Sequence, residues 1–385
     1  MATGRTPDRG FNELNKNAMM AEELKIDVGT LSAWLLEKKP VTIIDVRPKH
    51  EREEWSIPGS IHADVYDKLK MNNTDVFADL EFPDAPMVTV CGAGKMSLIA
   101  AEQLKRKGSD VYSLEGGMKA WNFAWNSAQR SFKNFKVIQV RRSAKGCLSY
   151  LVGSGNEAIV TDASLDPKVY QDLARDHGWK IRYVMDTHIH ADYISRTRDL
   201  AKSSGATHIM IDKANVDYPF SSVKDADVVS FGNTAIKILH TPGHTLESTS
   251  FKIEEIVLTG DTLFIDGVGR PDLKADQDEA MKKSKQLYHS IKRLLELNPS
   301  ANVLPAHSSK AVPFDGILLV ATIGELKQKL ELLKLNEKEF VQYTLSRIPP
   351  TPPNYLTIAG LNKIGSYDGY LPSELEAGAN RCAIS

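Results

Sequence analysis

Short apolar runs and an amphipathic segment alternate in the first part of the chain. VTIIDVR (41–47) and MVTVCG (87–92) have the length and β-branched content of buried strands. SLIAAEQLKRKG (97–108) has apolar residues at helical spacing and ends at Gly108. Strands and a helix in this order predict a small α/β domain with a parallel sheet and helices on both faces.

The rest of the chain follows a polar stretch, residues 126–136, and is rich in strand-like runs. Most of these runs lead directly into a loop that holds His or Asp. Helical spacing follows at 277–297 and at about 323–346. The predicted organisation is a lead-in at 1–25, a first domain at 26–128, a linker at 129–135 and a second domain at 136–385.

Composition narrows the class of protein. The chain has 385 residues, 42% hydrophobic, with 48 Lys and Arg against 49 Asp and Glu, which is typical of a globular protein with two domains. No basic run is long enough to follow a phosphate backbone, so we expect no nucleic-acid partner. No apolar stretch has the length of a membrane span, and the N-terminus lacks an apolar signal segment. Three cysteines without a CxxC pair fit a reducing compartment, so we expect a cytoplasmic protein; a homo-oligomer remains open.

A cysteine loop is the first candidate for chemistry. Cys91 ends a predicted strand, and Gly92 and Gly94 allow backbone N–H groups to turn toward one point just before a helix begins. Such surroundings lower the pKa of a thiol and hold an anion. IIDVRPKHEREEWSIPGSIHADV, the cysteine loop and VYSLEGGMKAW together resemble a single-domain rhodanese over residues 26–126. The resemblance implies that Cys91 carries sulfane sulfur as a persulfide, with Gly92, Gly94 and Lys95 at the substrate.

The loop departs from the rhodanese pattern at Met96. Rhodaneses often carry Arg at this place, five positions after the cysteine. The missing charge weakens the case for thiosulfate, a dianion, as the preferred donor, and Lys95 is the candidate to compensate. The plain alternative for Cys91 is a buried structural cysteine at the end of a strand.

A second group of residues predicts a metal site. His and Asp follow strand-like runs in four separate segments, so these side chains should project from the same rim of a sheet. Neutral imidazole and carboxylate together are the ligands expected for Zn, Fe or Mn. The residues are His188, His190 and Asp192 in THIHADY, His244 in TPGHT, Asp261 in TGDT and His307 in PAH.

These motifs, in this order, resemble the metallo-β-lactamase superfamily, which folds as an αββα sandwich. TGDTLFIDGVGRPDL and the closing ELEAGANRCA are most similar to persulfide dioxygenases of the ethylmalonic-encephalopathy-protein type, over about residues 135–385. The resemblance implies one non-haem Fe(II) per chain, held by His188, His244 and Asp261.

The motif THIHADY also departs from its relatives. In two-metal hydrolases the pattern is HxHxDH, and here the last position is Tyr193, which removes a nitrogen ligand of the second metal. We therefore expect His190, Asp192, Tyr193 and His307 to be outer partners that hydrogen-bond ligands, water or substrate. SSK follows His307 where the family commonly has an Asp-Tyr pair, so the contacts to the thiol carrier stay open.

The expected function is a bifunctional sulfur enzyme. Two His and one carboxylate leave positions on Fe(II) for an anionic persulfide sulfur and O2. The second domain would oxidise a low-molecular-weight persulfide to sulfite, and the first would transfer sulfane sulfur, with thiosulfate as a product or donor. Glutathione, coenzyme A, bacillithiol and cysteine all remain open as carriers. Arg270 is expected to fix its loop through a salt bridge with Asp272, and its second candidate role is to steady the substrate.

Other interpretations stay open. A Zn-dependent thioester hydrolase of the glyoxalase II type would use a hydroxide held between two metals roughly 3.5 to 4 Å apart. In either case the rhodanese half could be a sulfur-binding module without catalysis. Cys147 alternates along a strand and is expected in the core, and the sequence gives Cys382 no role.

Overall fold

The computed structural model describes residues 22–83, 85–272, 275–352, 354–378 and 380–384. The chain forms two compact units that meet in sequence between Ala124 and Trp125. Residues 1–21 of the predicted lead-in lie outside the described residues. Within the described ranges, no helix is both long enough and apolar enough to cross a bilayer.

The first unit is built on a parallel sheet. Its elements are β1 Lys25–Ile26, α1 Val28–Leu36, β2 Thr42–Asp45, α2 Lys49–Glu54, β3 Ile61–His62, α3 Tyr66–Lys70, β4 Met87–Val90, α4 Lys95–Arg106, β5 Val111–Leu114 and α5 Gly117–Trp121. The strands lie in the order β1-β5-β4-β2-β3, and every pairing is parallel. The runs predicted as strands and helix correspond to β2, β4 and α4, so the prediction of a parallel α/β domain is confirmed.

The core of the first unit lies between this sheet and its helices. α4 contributes Ala100, Ala101 and Leu104, which face Met87 on β4 among other buried apolar side chains. Cys91 belongs to the same cluster. The loop after β4 is therefore anchored in the core by the side chain that the sequence predicts to be reactive.

The second unit contains two mixed sheets. Its strands are β6 Trp125–Ser131, β7 Lys136–Arg142, β8 Leu148–Ser154, β9 Glu157–Thr161, β10 Lys180–Met185, β11 Thr207–Ile211, β12 Ser221–Val223, β13 Val228–Phe231, β14 Thr234–His240, β15 Thr249–Ile253, β16 Ile256–Gly260, β17 Val268–Gly269, β18 Asn302–Pro305, β19 Ala321–Thr322 and β20 Ala383–Ile384. Its helices are α6 Pro167–Asp176, α7 Thr197–Ser204, α8 Gln277–Leu295, α9 Ile323–Lys329, α10 Glu337–Ser346, α11 Tyr355–Ile364 and α12 Pro372–Leu375.

The two large sheets pack face to face. One runs β12-β11-β10-β9-β8-β7-β6 and the other β13-β14-β15-β16-β18-β19. Apolar side chains from both sheets, such as Val152 on β8 and Ile238 on β14, share one buried cluster. On the outer side of the second sheet, Leu287 and Ile291 of α8 pack with Val257 of β16, while α6 and α7 pack on β10 of the first. The expected αββα sandwich is thus present.

The predicted linker at 129–135 is wrong as a description of the structure. Residues 125–131 form β6, which pairs with β7 along its whole length, and the second unit begins at Trp125. Phe132 and Phe135 stack in the hairpin between the strands, with ring centroids 4.7 Å apart. β6 is an edge strand whose last three residues are exposed. Its polar sequence therefore lacks the apolar alternation by which a strand is recognised.

The single helix predicted at about 323–346 is also wrong. The structure has α9, a 3₁₀ turn at Glu331–Lys334, and α10. Leu330 is extended, with φ −98° and ψ 102°, and Asn336 starts α10 with a capping box to Glu339. The leucines between α9 and α10 keep a helix-like apolar spacing across the break, so the periodicity alone predicts one helix. The capping box of Asn336 and Glu339 nevertheless marks the start of a second helix.

Candidate metal centre and cysteine loop

Three strand ends bring the predicted metal ligands together. His188 lies in the loop after β10, His244 in the loop after β14, and Asp261 directly after β16. The Nε2 atoms of His188 and His244 lie 3.8 and 3.6 Å from Oδ2 of Asp261. All three side chains are buried, and their ligand atoms form a group that could hold a metal ion. The site therefore lies at one rim of the sandwich, with contributions from both sheets.

Hydrogen bonds fix the orientation of the His188 ring. Thr187 Oγ1 lies 3.1 Å from both carboxylate oxygens of Asp162, so its hydroxyl proton points to that carboxylate. The oxygen of Thr187 is then left to accept a hydrogen bond from Nδ1 of His188, at 2.9 Å. Protonation at Nδ1 leaves Nε2 of His188 with a lone pair. This is the outer-partner arrangement usual for metal-binding histidines.

The His244 ring is oriented in the same sense. Its Nδ1 lies 2.8 Å from the carbonyl oxygen of Arg270, which can only accept, so Nδ1 carries the proton. Gly243 precedes it with a φ of 143°, and a Cβ atom there would lie 2.4 Å from the backbone of Leu287. The loop is thus pressed against α8 in a conformation that favours glycine. Packing of this loop places Nε2 of His244 opposite Asp261.

The three groups fit a metal ion by charge as well as by position. Burial, together with the charges of neighbouring histidines, holds the pKa of His188 well below its usual value, and burial also lowers the pKa of His244. Nε2 of His188 and Oδ2 of Asp261 are buried and make no hydrogen bond within the described part of the chain. Buried lone pairs without partners are costly unless an ion binds them. Two neutral histidines and one carboxylate are the set that suits iron(II) in oxygenases.

His307 bridges two carboxylates beside this group. Its Nδ1 lies 2.6 Å from Oδ1 of Asp261 and its Nε2 2.9 Å from Oδ2 of Asp192. Burial opposes the charged ring, but the two carboxylates outweigh burial and raise the pKa of His307 well above its usual value. The same contacts lower the pKa of Asp261 although burial alone would raise it. Nδ1 of His307 is hydrogen-bonded to Asp261, whereas its buried Nε2 lies close to Asp192 without a hydrogen bond among the described residues.

His190 and Tyr193 are hydrogen-bonded to each other and to Asp162. His190 Nε2 lies 3.0 Å from Oδ1 of Asp162, and the hydroxyl of Tyr193 lies 2.9 Å from the same nitrogen. Burial raises the pKa of Tyr193 well above its usual value, so it stays a phenol, which is a weak ligand. Nδ1 of His190 is buried without a hydrogen bond among the described residues. That atom is a further nitrogen available to an ion held near His188.

Several residues that the sequence did not single out hold this arrangement. Asn362 on α11 donates from Nδ2 to the carbonyls of His190 and Tyr193, both at 2.8 Å. Glu376 accepts from the backbone N–H of Ile194 at 3.1 Å. These two side chains lie far from the loop in sequence, so only the fold connects them to it. Asp162, by contrast, directly follows β9 in the run EAIVTDA, and its place after a strand could have signalled a role.

Cys147 is buried, as expected of a core residue, yet it lies next to the polar network. Its Sγ is 3.4 Å from Oδ2 of Asp192. Burial and the charge of Asp192 raise the pKa of Cys147, so it remains a thiol and donates to that carboxylate. Cys382 is also buried, with Sγ 3.7 Å from the hydroxyl of Tyr355. Cys147 directly precedes β8, and the alternating pattern of the sequence did not reveal these polar surroundings.

Arg270 is fully buried, and its guanidinium is bound by groups of the protein itself. It forms the predicted salt bridge with Asp272, with two contacts of 2.8 Å, and donates to Thr351 at 2.8 Å. The side chain exposes no surface to a ligand in this conformation. The predicted substrate contact by Arg270 is therefore not supported, because the guanidinium is occupied in fixing its own loop.

The cysteine loop of the first unit brings one backbone N–H group, that of Gly94, to the sulfur of Cys91. Cys91 follows β4, is 2% exposed, and accepts a hydrogen bond at its Sγ from the N–H of Gly94 at 3.2 Å. Gly94 has a φ of 91°, and a Cβ atom there would lie 2.9 Å from the backbone of Gly116. Lys95 begins α4 and is exposed, and Gly92 is half-buried. The loop thus directs a backbone N–H and a helix start at the sulfur.

Comparison with known proteins agrees with this architecture. Residues 28–124 match the model of the rhodanese-like domain, and residues 142–307 match that of the metallo-beta-lactamase superfamily. The chain therefore has a rhodanese-like domain followed by a domain with the metallo-β-lactamase fold. Over the second domain, the chain is 29% identical to the persulfide dioxygenase ETHE1, mitochondrial, of Bos taurus, over 208 residues that cover 51% of this chain and 76% of the relative.

Two further similarities bear on function. The crystal structure of ETHE1 from Myxococcus xanthus matches with a TM-score of 0.53 and 25% identity, covering 60% of this chain and 99% of that one. A hydroxyacylglutathione hydrolase from Tolumonas auensis is 30% identical over 174 residues, covering 44% of this chain and 64% of the relative. Sequence identity therefore does not distinguish an oxygenase from a thioester hydrolase. The geometry of the site is needed to choose between these two functions.

Proposed function

We propose that the chain is a bifunctional sulfur enzyme. The second domain oxidises a low-molecular-weight persulfide, in the reaction RSSH + O2 + H2O → RSH + H2SO3. The first domain transfers sulfane sulfur through a persulfide on Cys91, and sulfite formed by the second domain is a suitable acceptor that yields thiosulfate. The persulfide dioxygenase relatives and the rhodanese-like domain support this proposal.

The observation that carries the proposal is the contrast between the two halves of the site. His188, His244 and Asp261 bring two imidazole nitrogens and a carboxylate oxygen together, whereas each ring nitrogen of His307 lies within 2.9 Å of a carboxylate oxygen of Asp261 or Asp192. One ion would be held by the first three residues. An iron ion there supplies open coordination positions and the electron transfer needed for a persulfide to react with O2.

The surrounding residues would keep these three ligands in their reactive form. Thr187 and the carbonyl of Arg270 hold the two imidazoles with Nε2 free. His307 donates to Oδ1 of Asp261, so Oδ2 remains for the ion, and its proton balances part of the buried negative charge.

In the rhodanese-like domain the chemistry rests on one sulfur. The thiolate of Cys91 attacks the outer sulfur of a donor RSS⁻, so that a Cys–S–S⁻ persulfide forms and RS⁻ leaves. Attack of sulfite on the outer sulfur then yields thiosulfate and regenerates the thiolate. The N–H of Gly94 and the start of α4 would stabilise the negative charge on the persulfide.

The hydrolase relatives support a second candidate, a Zn-dependent thioester hydrolase. It requires a second metal, and two groups beside the first contain ligand types for one: Cys147, Asp192 and His307, and Asp261, His307 and Cys382. Use of the first group would require Cys147 to become a thiolate inside a buried network. The hydrogen bond from Cys147 to Asp192 opposes that change.

Metal analysis of the full chain purified under anaerobic conditions tests the choice. The proposal predicts about one Fe per chain and no second metal that is needed for activity. About two Zn per chain, together with hydrolysis of a glutathione thioester, would favour the hydrolase instead.

A further inference from the structure

Gly117, the first residue of α5, lies against the cysteine loop of the first unit. The N–H of the next residue, Met118, donates to the carbonyl oxygen of Cys91 at 2.8 Å. The N–H of Lys119 donates to the carbonyl oxygen of Gly92 at 3.0 Å. The start of α5 is therefore hydrogen-bonded directly to the backbone of the loop that carries the reactive sulfur.

The contact at Gly117 leaves no room for a side chain. A Cβ atom there would lie 2.2 Å from the carbonyl oxygen of Cys91, 2.7 Å from the nitrogen of Gly94 and 3.0 Å from that of Ala93. All three are backbone atoms, which cannot rotate away as the end of a flexible side chain can. Gly117 also has a φ of 56°, a conformation in which residues other than glycine are uncommon. Position 117 thus accepts a side chain only if the cysteine loop moves.

One of the backbone nitrogens that Gly117 approaches is bonded to the proton that the sulfur accepts. The N–H of Gly94 donates to Sγ of Cys91 at 3.2 Å. A thiolate or a persulfide anion on Cys91 is stabilised by such a donor, because a hydrogen bond to the charged form favours that form. A hydrogen bond weakens steeply when its distance or angle departs from the ideal. A shift of the Gly94 nitrogen would therefore change the reactivity of the sulfur.

We propose that Gly117 is a positioning residue for sulfur transfer at Cys91. Because Gly117 has no Cβ, α5 approaches the cysteine loop closely enough to fix the N–H of Gly94 opposite the sulfur. The hydrogen bonds from the start of α5 keep the loop in this position. The inference rests on the proposed function, since it assumes that Cys91 carries the transferred sulfur.

Alkylation of Cys91 by iodoacetamide in the full chain tests the assignment without turnover. The thiolate is the reacting form, so the pH dependence of the rate follows the stability of the thiolate. Peptide mass spectrometry assigns the product to Cys91, because the chain has two further cysteines. Gly117→Ala should displace the N–H of Gly94 and move the midpoint of this pH profile upward by about one unit.

Gly108→Ala is the matched control for this experiment. Gly108 lies in the same unit and also has a positive φ, of 91°, but nothing lies within 4 Å of its Cβ position. The control should keep the alkylation profile of the parent. An equal upward shift in Gly108→Ala and Gly117→Ala would overturn the inference, because the effect would not depend on contact with the cysteine loop.

Sulfur transfer from glutathione persulfide to cyanide gives a second readout. Gly117→Ala should lower kcat about 10-fold and change the KM for the donor less, because the contact acts on the sulfur of Cys91 and not on the bound donor. Oxygen uptake should stay near that of the parent, since the ligand group belongs to the second unit. An unchanged pH profile and an unchanged kcat would overturn the inference.

Thermal unfolding of each variant, recorded first, shows whether the first unit is intact. If Gly117→Ala does not fold, Gly94→Ala takes its place, since its Cβ would lie 2.9 Å from the backbone nitrogen of Gly116 on the other side of the same contact. The same upward shift is expected there, and its absence would overturn the inference. A shifted alkylation profile, with no sulfur transfer by the parent, would support the role of Gly117 and contradict the proposed sulfurtransferase.

Discussion

His307 lies between two carboxylates, and this separates it from the three predicted ligands. Its Nδ1 is hydrogen-bonded to Oδ1 of Asp261 at 2.6 Å, and its Nε2 lies 2.9 Å from Oδ2 of Asp192. We infer that its role is to offset the charge of the two carboxylates and to fix which oxygen of Asp261 is left for the ion. The distinction between ligand and partner can be tested with single substitutions.

Removal of a ligand should remove the metal. His188→Ala, His244→Ala or Asp261→Ala each deletes one of three protein ligands, so each variant should lose most of its iron. Tyr193→Phe should keep the iron, because a phenol with a raised pKa is a poor ligand. Elemental analysis of the purified variants gives the answer. Loss of iron from Tyr193→Phe equal to that from the ligand variants would mean that Tyr193 binds the ion.

Removal of His307 should separate metal content from turnover. In His307→Ala the iron should largely stay, while turnover falls about 10- to 100-fold, as for other partners of metal ligands. His307→Gln keeps a donor toward Asp261 and should lose less turnover than the alanine variant. Iron content, oxygen uptake and thermal unfolding, measured on the same samples, distinguish this role from a loss of fold. Iron lost from both variants would make His307 a ligand.

The elements explain why the ligands meet. β10, β14 and β16 end at the same rim. Asn362 on α11 holds the loop after β10, and the packing of Gly243 against α8 holds the loop after β14. The sequence predicted the strand ends and the ligand types, because His and Asp after apolar runs are a local signal. It did not predict Asn362 or Glu376, because their hydrogen bonds span more than 160 residues.

Gly243 offers a test at this scale. A methyl group at Gly243 would lie 2.4 Å from the backbone of Leu287, so Gly243→Ala should displace the loop and reduce iron binding. Gly178→Ala is a matched control, since Gly178 also has a positive φ, of 70°, but open space around its Cβ position. Both glycines have a positive φ, but only at Gly243 would the added methyl group meet a neighbouring backbone, so only the first variant should lose metal. Equal metal content in the two would show that contact with α8 does not position His244.

Prediction from the local sequence also failed at two places, where a neighbouring strand or a helix cap decides the structure. β6 is an edge strand, and its polar residues 129–131 have the composition of a linker. Only their pairing with β7 shows that they belong to a strand. The break between α9 and α10 is set by Leu330 and the Asn336 cap, which the apolar periodicity of the leucines hides. Burial of Arg270 likewise follows from contacts with Thr351 and residue 381 that only the fold supplies.

At the scale of the whole molecule, the two units carry separate centres. Cys91 belongs to the core of the first unit, and the ligand group belongs entirely to the second. Cys91→Ser should therefore abolish sulfur transfer to sulfite or cyanide, yet leave most of the persulfide oxidation. Both rates should be measured on one preparation with its iron content known. If oxygen uptake also disappeared while the iron content stayed unchanged, the claim that the two units act independently would be wrong.

The central claim is that the metal domain oxidises a persulfide. An oxygen electrode experiment on the iron-loaded full chain, with glutathione persulfide added and sulfite measured in the same vessel, tests it most directly. The account predicts oxygen uptake that depends on the persulfide, with about one sulfite formed per O2, and no such uptake in Asp261→Ala. Iron-loaded enzyme that consumes no oxygen with persulfide, yet rapidly hydrolyses a glutathione thioester, would contradict the account.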